Sequence, residues 1–302
     1  MASGTRAPAC SRCGEAAIYL DRTTGKHLCG DHLVRDVGER VGLTIRGYRL
    51  IRPGDRIAVA LSGGKDSTAL LHLLSGIAPG IGDVTLTAVT VDEGIAGYRD
   101  ATLHAARETA AALGIGHRVV SFRDTPGSTL DAMVAAGGER PCSLCGIHRR
   151  RALGEAAAAL GATALATGHN LNDEAQTVVM NALRGDLPRF TRPPVREAPG
   201  GGIRRIKPLF RIPEKEIALY GIVTGIFREL PECPYAGTAL RSEARRVVDR
   251  LEQLHPGSLA RIVSGQEEVA ASWGRIAASG DGIIPPEEAR AGRKPRDPFS
   301  PA

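Results

Sequence analysis

The stretch Ala60-Leu61-Ser62-Gly63-Gly64-Lys65-Asp66-Ser67 decides the fold predicted for this chain. It joins an apolar run at 57–61, which predicts a buried strand, to a helical pattern at 66–75. Two glycines allow a tight turn, and the N–H groups of such a turn at a helix N-terminus bind anions. The serine hydroxyls can add hydrogen bonds, and Lys65 can neutralise phosphate charge. The stretch therefore predicts a phosphate-binding loop, with an ordinary glycine-rich turn as the alternative. Its spacing is not that of a Walker loop.

Strand-like and helix-like segments alternate after this loop. The predicted strands cover residues 57–61, 84–91, 117–122, 163–167 and 203–207, and the predicted helices cover 66–75, 98–113, 147–160, 173–183, 214–227 and 239–254. Helices that connect parallel strands cover both faces of a sheet. The alternation therefore predicts an α/β fold with a doubly wound parallel sheet.

The character of the sequence changes along the chain. Residues 1–34 carry cysteine and histidine with little apolar pattern, and they predict a small zinc-binding knuckle. Residues 35–54 predict a linker, and residues 55–275 predict the α/β domain. Residues 276–302 are rich in proline, glycine and charge and predict a disordered tail.

The bulk composition bounds the class of protein. Of 302 residues, 42% are hydrophobic, which is enough for a sizeable core. The formal net charge of +6 favours a polyanionic partner, although a need for solubility would also explain it. No apolar run is long enough to span a membrane, and the N-terminus lacks the apolar core of a signal peptide. We therefore expect a cytoplasmic protein whose reduced cysteines serve as metal ligands or reactive thiols.

The six cysteines fall into two groups, of which the first has the spacing of a metal site. Cys10-x-x-Cys13 and Cys29-x-x-His32 can each present two ligands from one turn, and three sulfurs with one nitrogen suit tetrahedral Zn²⁺. We expect a structural role, because four protein ligands leave no open position and so short a stretch needs a staple. A chance cluster of thiols is the alternative, and His27 would break the paired spacing.

The second group is Cys142-x-x-Cys145 with the distant Cys233. The pair opens a predicted helix, whose N-terminus lowers thiol pKa values. Three thiolates from two segments suit an iron–sulfur cluster in which one iron lacks a protein ligand and can bind sulfur. Two alternatives stay open. One is a persulfide and disulfide relay between Cys142 and Cys233, and the other is a structural zinc with a fourth ligand other than cysteine.

The loop at 60–67 resembles the pyrophosphate loop of the PP-loop, or N-type, ATP pyrophosphatases. An N-terminal zinc knuckle, Ser-Gly-Gly-Lys-Asp-Ser, Cys-Ser-x-Cys-Gly, Gly-His-Asn-Leu-x-Asp-Glu and a Cys-Pro-Tyr turn follow in one order. That order is similar to the TtuA/TtcA group of tRNA thiolases, and most of all to its TtuA-type, 2-thiouridine-forming branch. The resemblance covers about residues 10–265. It implies a HUP-like nucleotide-binding fold that uses ATP and Mg²⁺ to adenylate a carbonyl oxygen, releasing pyrophosphate, before sulfur displaces AMP.

The same resemblance implies roles for particular residues. The end of the second strand would hold adenine, and the cysteines of the second group would hold a 4Fe-4S cluster. The expected ATP-binding residues are Ala60, Leu61, Ser62, Gly63, Gly64, Lys65, Asp66, Ser67, Val91, Gly168 and Asp173. The expected catalytic residues are Asp173, Arg149, Cys142 and Cys233, and the expected cluster ligands are Cys142, Cys145 and Cys233.

The implied function is ATP-dependent 2-thiolation of a tRNA uridine. The partners would be tRNA, bound through basic segments at 148–151 and 184–207, and a ubiquitin-like thiocarboxylate protein as sulfur donor. A homodimer stays open.

Three departures from the family pattern bear on the substrate. Asn172 replaces a usual Asp, Arg149 stands where some members have a catalytic Lys, and no cysteine follows Cys233 to form a second zinc finger. Two alternatives therefore stay open. One is the same chemistry on tRNA cytidine or on a small-molecule carbonyl, and the other is a non-catalytic zinc protein that binds nucleic acid.

Overall fold

The fold is seen in a computed structural model that describes residues 8–137, 140–192, 202–236 and 240–279. The strands are β1 (Tyr19–Leu20), β2 (His27–Leu28), β3 (Arg56–Ala60), β4 (Thr85–Asp92), β5 (Gly116–Ser121), β6 (Ala164–Ala166) and β7 (Arg204–Ile206). The helices are α1 (Gly30–Gly47), α2 (Lys65–Ile77), α3 (Arg99–Ala112), α4 (Leu130–Ala135), α5 (Pro141–Ala159), α6 (Leu171–Leu183), α7 (Leu187–Phe190), α8 (Glu214–Val223), α9 (Leu240–Leu254) and α10 (Ser258–Ser279). A 3-10 turn, Ala78–Gly80, follows α2. Most of the predicted tail, from residue 280, lies outside the described residues, as do residues 193–201 of the second basic segment.

Five strands of the described chain form one parallel sheet in the order β5-β4-β3-β6-β7. The chain moves outward from β3 through β4 and β5, then returns to place β6 and β7 on the other side of β3. This reversal leaves a crevice between the carboxyl ends of β3 and β6, where open α/β sheets bind ligands. The predicted doubly wound α/β fold is confirmed.

Strand β3 lies at the centre of the sheet and is buried on both faces. Ile57 and Val59 pack in one apolar cluster with Leu70 of α2, whereas Ala58 packs in another with Ala156 of α5. Successive strand residues point to opposite faces, which accounts for the division. Burial of a leucine such as Leu70 contributes about 2 kcal/mol. The small alanines on the other face let α5 lie close to the sheet.

Residues 30–47 form helix α1, where the sequence analysis placed most of a linker. The 18-residue helix buries Leu33, Val37, Val41 and Ile45, which recur at intervals of four residues on one face. They pack in the same cluster as β3 and α2. The N-terminal knuckle therefore continues directly into a core helix of the α/β domain, so residues 35–54 are not a separate linker.

Other differences from the predicted elements include the short strands β1 and β2 and the short helices α4 and α7, none of which was predicted, and several helix ends. Helix α8 ends at Val223, four residues before the predicted end, and α10 was not predicted. Helix α10 packs Leu259 and Val263 against Leu171 and Ala175 of α6. Every helix of the described chain is too short or too polar to cross a lipid bilayer.

Candidate nucleotide, thiol and metal sites

The loop after β3 is held in shape by its own serines. The Ser62 backbone N–H donates to Ser67 Oγ at 3.1 Å, and Ser67 Oγ lies 2.9 Å from the Gly64 carbonyl, to which it donates. Gly63 has φ +89°, and a Cβ there would lie 2.2 Å from the Thr102 carbonyl oxygen of α3. The backbone at Gly63 therefore passes too close to α3 for any side chain, which leaves the following N–H groups at the start of α2 free of bulk.

Lys65 is paired with two carboxylates. Its Nζ donates to Asp66 Oδ2 at 2.9 Å and to Glu214 Oε1 of α8 at 2.7 Å. The predicted role in neutralising phosphate charge would require this ammonium group to exchange two carboxylates for a ligand. In the conformation seen, Lys65 joins the loop to α8.

A cavity of about 280 Å³ lies between the loop and the carboxyl ends of β4 and β6. Its walls include most of the residues expected to bind ATP, together with Arg149; Gly63 and Lys65 are not among them. Several other wall residues have no site role predicted from the sequence. The lining residues are Ala60, Leu61, Ser62, Gly64, Asp66, Ser67, Val89, Val91, Glu93, Arg99, Arg149, Leu153, Thr167, Gly168, His169, Asp173 and Arg241.

The turn after β6 crosses the phosphate loop at very close range. A Cβ at Gly168 would lie 3.0 Å from both the Asp66 carbonyl oxygen and the Ser67 nitrogen. Asn170 Nδ2 also donates to Asp66 Oδ1 at 3.1 Å. The two loops therefore form one wall of the cavity, as expected where two neighbouring parallel strands end.

Asp173 lies in the first turn of helix α6 and is part of a capping box. Its Oδ2 accepts from the Asn170 N–H at 3.1 Å, while Asn170 Oδ1 accepts from the Asp173 N–H at the same distance. Its other oxygen, Oδ1, accepts from Arg241 Nη1 of α9 at 3.2 Å. One carboxylate oxygen is thus fixed to the helix start, and the other faces the cavity wall beside an arginine.

His169 is a partly buried imidazole in the cavity wall. Its Nδ1 lies 2.8 Å from Thr167 Oγ1. Burial lowers the pKa of His169 to about 4, with the positive charge of Lys207 acting in the same direction. The ring is therefore neutral near pH 7.

The N-terminal cysteines and histidine converge as the spacing predicted. The ligand atoms of Cys10, Cys13, Cys29 and His32 all lie within 4.8 Å of one another, which fits one metal ion, and His27 is not in the set. Cys29 Sγ is 3.2 Å from His32 Nδ1 and 3.7 Å from Cys13 Sγ. Burial acts to raise the pKa of Cys10, but backbone hydrogen bonds from Cys29, Arg12 and Cys13 lower it to about 6. A thiol that ionises so readily is a good metal ligand.

The second group of cysteines comes together from two distant segments. Cys142 is exposed in the first turn of α5, and its Sγ lies 3.2 Å from the Tyr235 carbonyl oxygen, two residues after Cys233. Cys145 and Cys233 pack against one apolar cluster that includes Val91. Three thiols from two segments, one of them exposed, are a donor set that fits an iron–sulfur cluster.

The environment of Cys145 disfavours a free thiolate. Burial raises the pKa of Cys145 to about 11. The positive charge of Arg149, one turn further along α5, acts against this rise, while Glu93 and the other two cysteines add to it. Even with the Arg149 charge nearby, Cys145 would therefore ionise at neutral pH only when bound to a metal.

Comparison with known proteins agrees with this geometry. The sequence model of the PP-loop domain family matches residues 42–226 of this chain. The chain belongs to this PP-loop family. The tRNA 2-thiolation protein NcsA of Haloferax volcanii is 38% identical over 278 residues, which span 86% of each chain. Cytoplasmic tRNA 2-thiolation protein 1 of Bos taurus is 41% identical over 273 residues, or 87% of this chain and 78% of the relative.

A solved structure extends the similarity to three dimensions. The U34-tRNA thiolase NcsA from Methanococcus maripaludis, with its [4Fe-4S] cluster, has a TM-score of 0.78, 34% identity and 87% coverage of both chains. The resemblance to the TtuA/TtcA-type thiolases drawn from the motifs is confirmed.

Asn172 of this PP-loop protein lies outside the cavity wall, and its contacts explain its departure from the family pattern. Its Oδ1 accepts from the Glu214 N–H at 3.0 Å, and its Nδ2 donates to Asp249 Oδ1 at 3.3 Å. An aspartate at this position would set two carboxylates against each other. Asn172 thus joins α6 to α8 and α9 and is a structural residue in this chain.

Proposed function

We propose that this chain is an ATP-dependent thiolase that replaces the C2 oxygen of a tRNA uridine by sulfur. One observation carries the proposal: the phosphate loop and the second cysteine group lie at the same edge of the sheet. Arg149 lines the cavity beside the loop, and Cys145 is one turn before it on the same helix. A base placed between loop and thiols could therefore meet both the phosphates of ATP and a sulfur nucleophile.

The loop and the strand ends supply the ATP site. The N–H groups at the start of α2 would bind the pyrophosphate part of ATP, and the end of β4 at Val91 would hold adenine. Asp173 is the residue assigned to Mg²⁺, which would neutralise phosphate charge. In the first step the C2 oxygen attacks the α-phosphorus, and pyrophosphate leaves.

Arg149 would stabilise the charge that develops in this step. Its guanidinium group lines the cavity. The group keeps its positive charge at every physiological pH and cannot act as a proton donor near neutral pH. We therefore assign it to electrostatic stabilisation of the adenylate and not to proton transfer.

The second step exchanges AMP for sulfur. Cys142, Cys145 and Cys233 would hold a 4Fe-4S cluster, which would supply a binding place for sulfide. Sulfide forms a bond to C2, the bond from C2 to the adenylated oxygen breaks, and AMP leaves with that oxygen. The exposed position of Cys142 leaves this end of the site open to a sulfur donor, for which we propose a thiocarboxylate carrier protein.

The other parts of the chain would support binding and folding. Zn²⁺ in the four-ligand knuckle would be structural. Arg150 lies close to three other arginines. Burial lowers the pKa of Arg150, and the charges of Arg149, Arg205 and Arg189 lower it further. Such a cluster suits RNA phosphates. We also propose that the protein acts in the cytoplasm, as the name of the bovine relative states for that protein.

Anaerobic reconstitution with tRNA that lacks 2-thiouridine tests the proposal. Purified protein, ATP, Mg²⁺ and sulfide should yield 2-thiouridine by nucleoside mass spectrometry, with one AMP released per thiolated base. Cys142→Ser should abolish thiolation, and Cys13→Ser, judged at a temperature where it is folded, should retain it. The appearance of 2-thiocytidine would shift the proposal to cytidine. AMP release that does not depend on tRNA would shift it to a small carbonyl substrate, and no pyrophosphate release at all would refute it.

A further inference from the structure

A buried arginine, Arg99, joins the phosphate loop to the end of the neighbouring strand. It is the first residue of α3 and is 4% exposed. Its Nη1 donates to the Ser62 carbonyl at 3.2 Å and to Thr102 Oγ1 at 2.8 Å, and its Nη2 donates to the Val91 carbonyl. One rigid guanidinium fork therefore fixes the loop relative to the end of β4.

Glu93 lies against this arginine with unused hydrogen-bonding capacity. Its Oε2 is 2.8 Å from Arg99 Nε, in a pair whose side chains are 4% and 6% exposed. Glu93 Oε2 and Arg99 Nε are nevertheless among the buried polar atoms of the described residues that lack a hydrogen bond, so charge alone holds the pair. A buried pair of this kind contributes little to stability, because desolvation offsets the attraction. Its presence in the cavity wall calls for another role.

The second oxygen of Glu93 faces Arg149. Glu93 Oε1 lies 3.8 Å from Arg149 Nη1, and Glu93 is the one carboxylate within ion-pair distance of Arg149 in the described residues. The Arg149 side chain is 52% exposed, long and rich in rotamers. Without a carboxylate beside it, the guanidinium would be repelled from the cavity by the buried charge of Arg99.

We infer that Glu93, itself fixed by Arg99, is a positioning residue that keeps the Arg149 guanidinium in the cavity between the phosphate loop and the second cysteine group. The inference rests on the proposed function only in the role given to Arg149 towards the adenylate. It predicts that loss of the Glu93 charge releases Arg149 while the loop, still held by Arg99, keeps its shape.

A second buried arginine–carboxylate pair supplies a matched control. Arg204 Nη2 donates to Asp55 Oδ1 at 2.7 Å, and both residues are buried. Asp55 precedes β3 and Arg204 begins β7, so this pair lies at the amino edge of the sheet, opposite the cavity. Asp55→Asn breaks a buried pair of the same chemistry without touching the site.

The first measurement needs no turnover. Phenylglyoxal modifies accessible guanidinium groups, and peptide mass spectrometry follows its reaction at Arg149. We expect Glu93→Gln to raise the rate at Arg149 about threefold, the change in free population that an ion pair of this exposure supports. Asp55→Asn should leave this rate at the wild-type value. Equal labelling in Glu93→Gln and wild type, or a matching rise in Asp55→Asn, would overturn the inference.

The second measurement separates a positioning role from a structural one. We expect Glu93→Gln to lower the kcat of thiolation about tenfold, because misplacement of a charge-stabilising group costs rate, while KM for ATP changes less than about twofold. In an Arg149→Gln background, the further change Glu93→Gln should alter the rate less than about twofold. Additive losses would contradict an action through Arg149.

Two further outcomes keep the inference and the proposed function separate. If wild-type protein fails to thiolate tRNA, the proposed function fails. The labelling rates still show whether Glu93 holds Arg149 in the cavity. If Glu93→Gln does not fold, Glu93→Asp keeps the charge on a shorter side chain, and it should give labelling between the wild-type rate and that of the free arginine peptide. Wild-type labelling in that variant would then refute the inference.

Discussion

Replacing Gly63 by alanine should unfold the phosphate loop. The same change at Gly64 should spare the fold and weaken ATP binding. The backbone at Gly63 has φ +89°, and an added Cβ would lie 2.2 Å from the Thr102 carbonyl oxygen and 3.0 Å from its carbon. A Cβ at Gly64 would meet nothing closer than Ser62 Oγ at 3.5 Å. The two neighbouring glycines thus serve different physical needs.

A third glycine separates the cost of the positive φ from the cost of the steric clash. Gly114 has φ +64° with no atom within 4 Å of an added Cβ, so Gly114→Ala measures the strain of positive φ alone, about 1 kcal/mol. Gly63→Ala adds a contact with backbone that cannot rotate away, and we expect at least about 3 kcal/mol of lost stability. Gly64→Ala should cost less than about 1 kcal/mol, as in other unstrained positions.

Urea unfolding and calorimetric titration with ATP test these values. Gly64 lines the cavity, so its new methyl group should weaken ATP binding at least about tenfold by keeping phosphate from the loop amides. Gly114→Ala should bind ATP normally. If Gly63→Ala proves as stable as Gly114→Ala, the close approach of the loop to α3 is not a real constraint, and the account of the loop given above is wrong.

Three other changes test separate parts of the structure. Asn172→Asp should lose about 1 kcal/mol in urea unfolding through repulsion of Asp249, and the added change Asp249→Asn should restore it; failure of that rescue would refute the contact. The pKa of His169 is about 4 in the folded protein, below the value near 6.5 expected in the unfolded chain. Between pH 4 and pH 6.5 the unfolded chain therefore binds more protons than the folded protein does. Stability should therefore fall by about 3 kcal/mol as the pH drops from 6.5 to 4, and His169→Gln should remove this loss; an unchanged pH profile in the variant would contradict it. Elemental analysis should find zinc in the wild type and in Cys142→Ser but not in Cys13→Ser, whose Tm should fall by about 5 °C; zinc retained in Cys13→Ser would exclude the site.

Local patterns in the sequence predict the sheet and the metal ligands well. Each predicted strand of the α/β domain is present, because short apolar runs between turn residues leave few other structures open. The spacing alone predicts that the cysteines and the histidine of the knuckle converge, because these residues lie close in sequence. Helix α1 was missed although its four-residue apolar period is visible at Leu33, Val37 and Val41.

Contacts between distant segments were beyond prediction. The orientation of Lys65 depends on Glu214, 149 residues away, and nothing in the loop motif indicates that partner. Glu93 and Arg99 carry no motif either, and their importance follows only from the fork that reaches Ser62 and Val91. These charges can be recognised as a set only in the folded structure, where the three chain segments meet. Burial there strengthens the interaction between the paired charges.

We expect helix α1 to make metal binding at the knuckle a condition for the stability of the whole protein. His32 lies in its first turn, and Val37 and Val41 lie deep in the core a few residues later. Tyr19 of the knuckle also donates to Glu216 of α8 at 2.9 Å. A chain without the proposed ion would lose the anchor of a core helix and not merely an appendage. We therefore expect starvation for the metal to lower the cellular abundance of the entire protein, and grafting of a foreign knuckle to succeed only when the junction precedes Gly30.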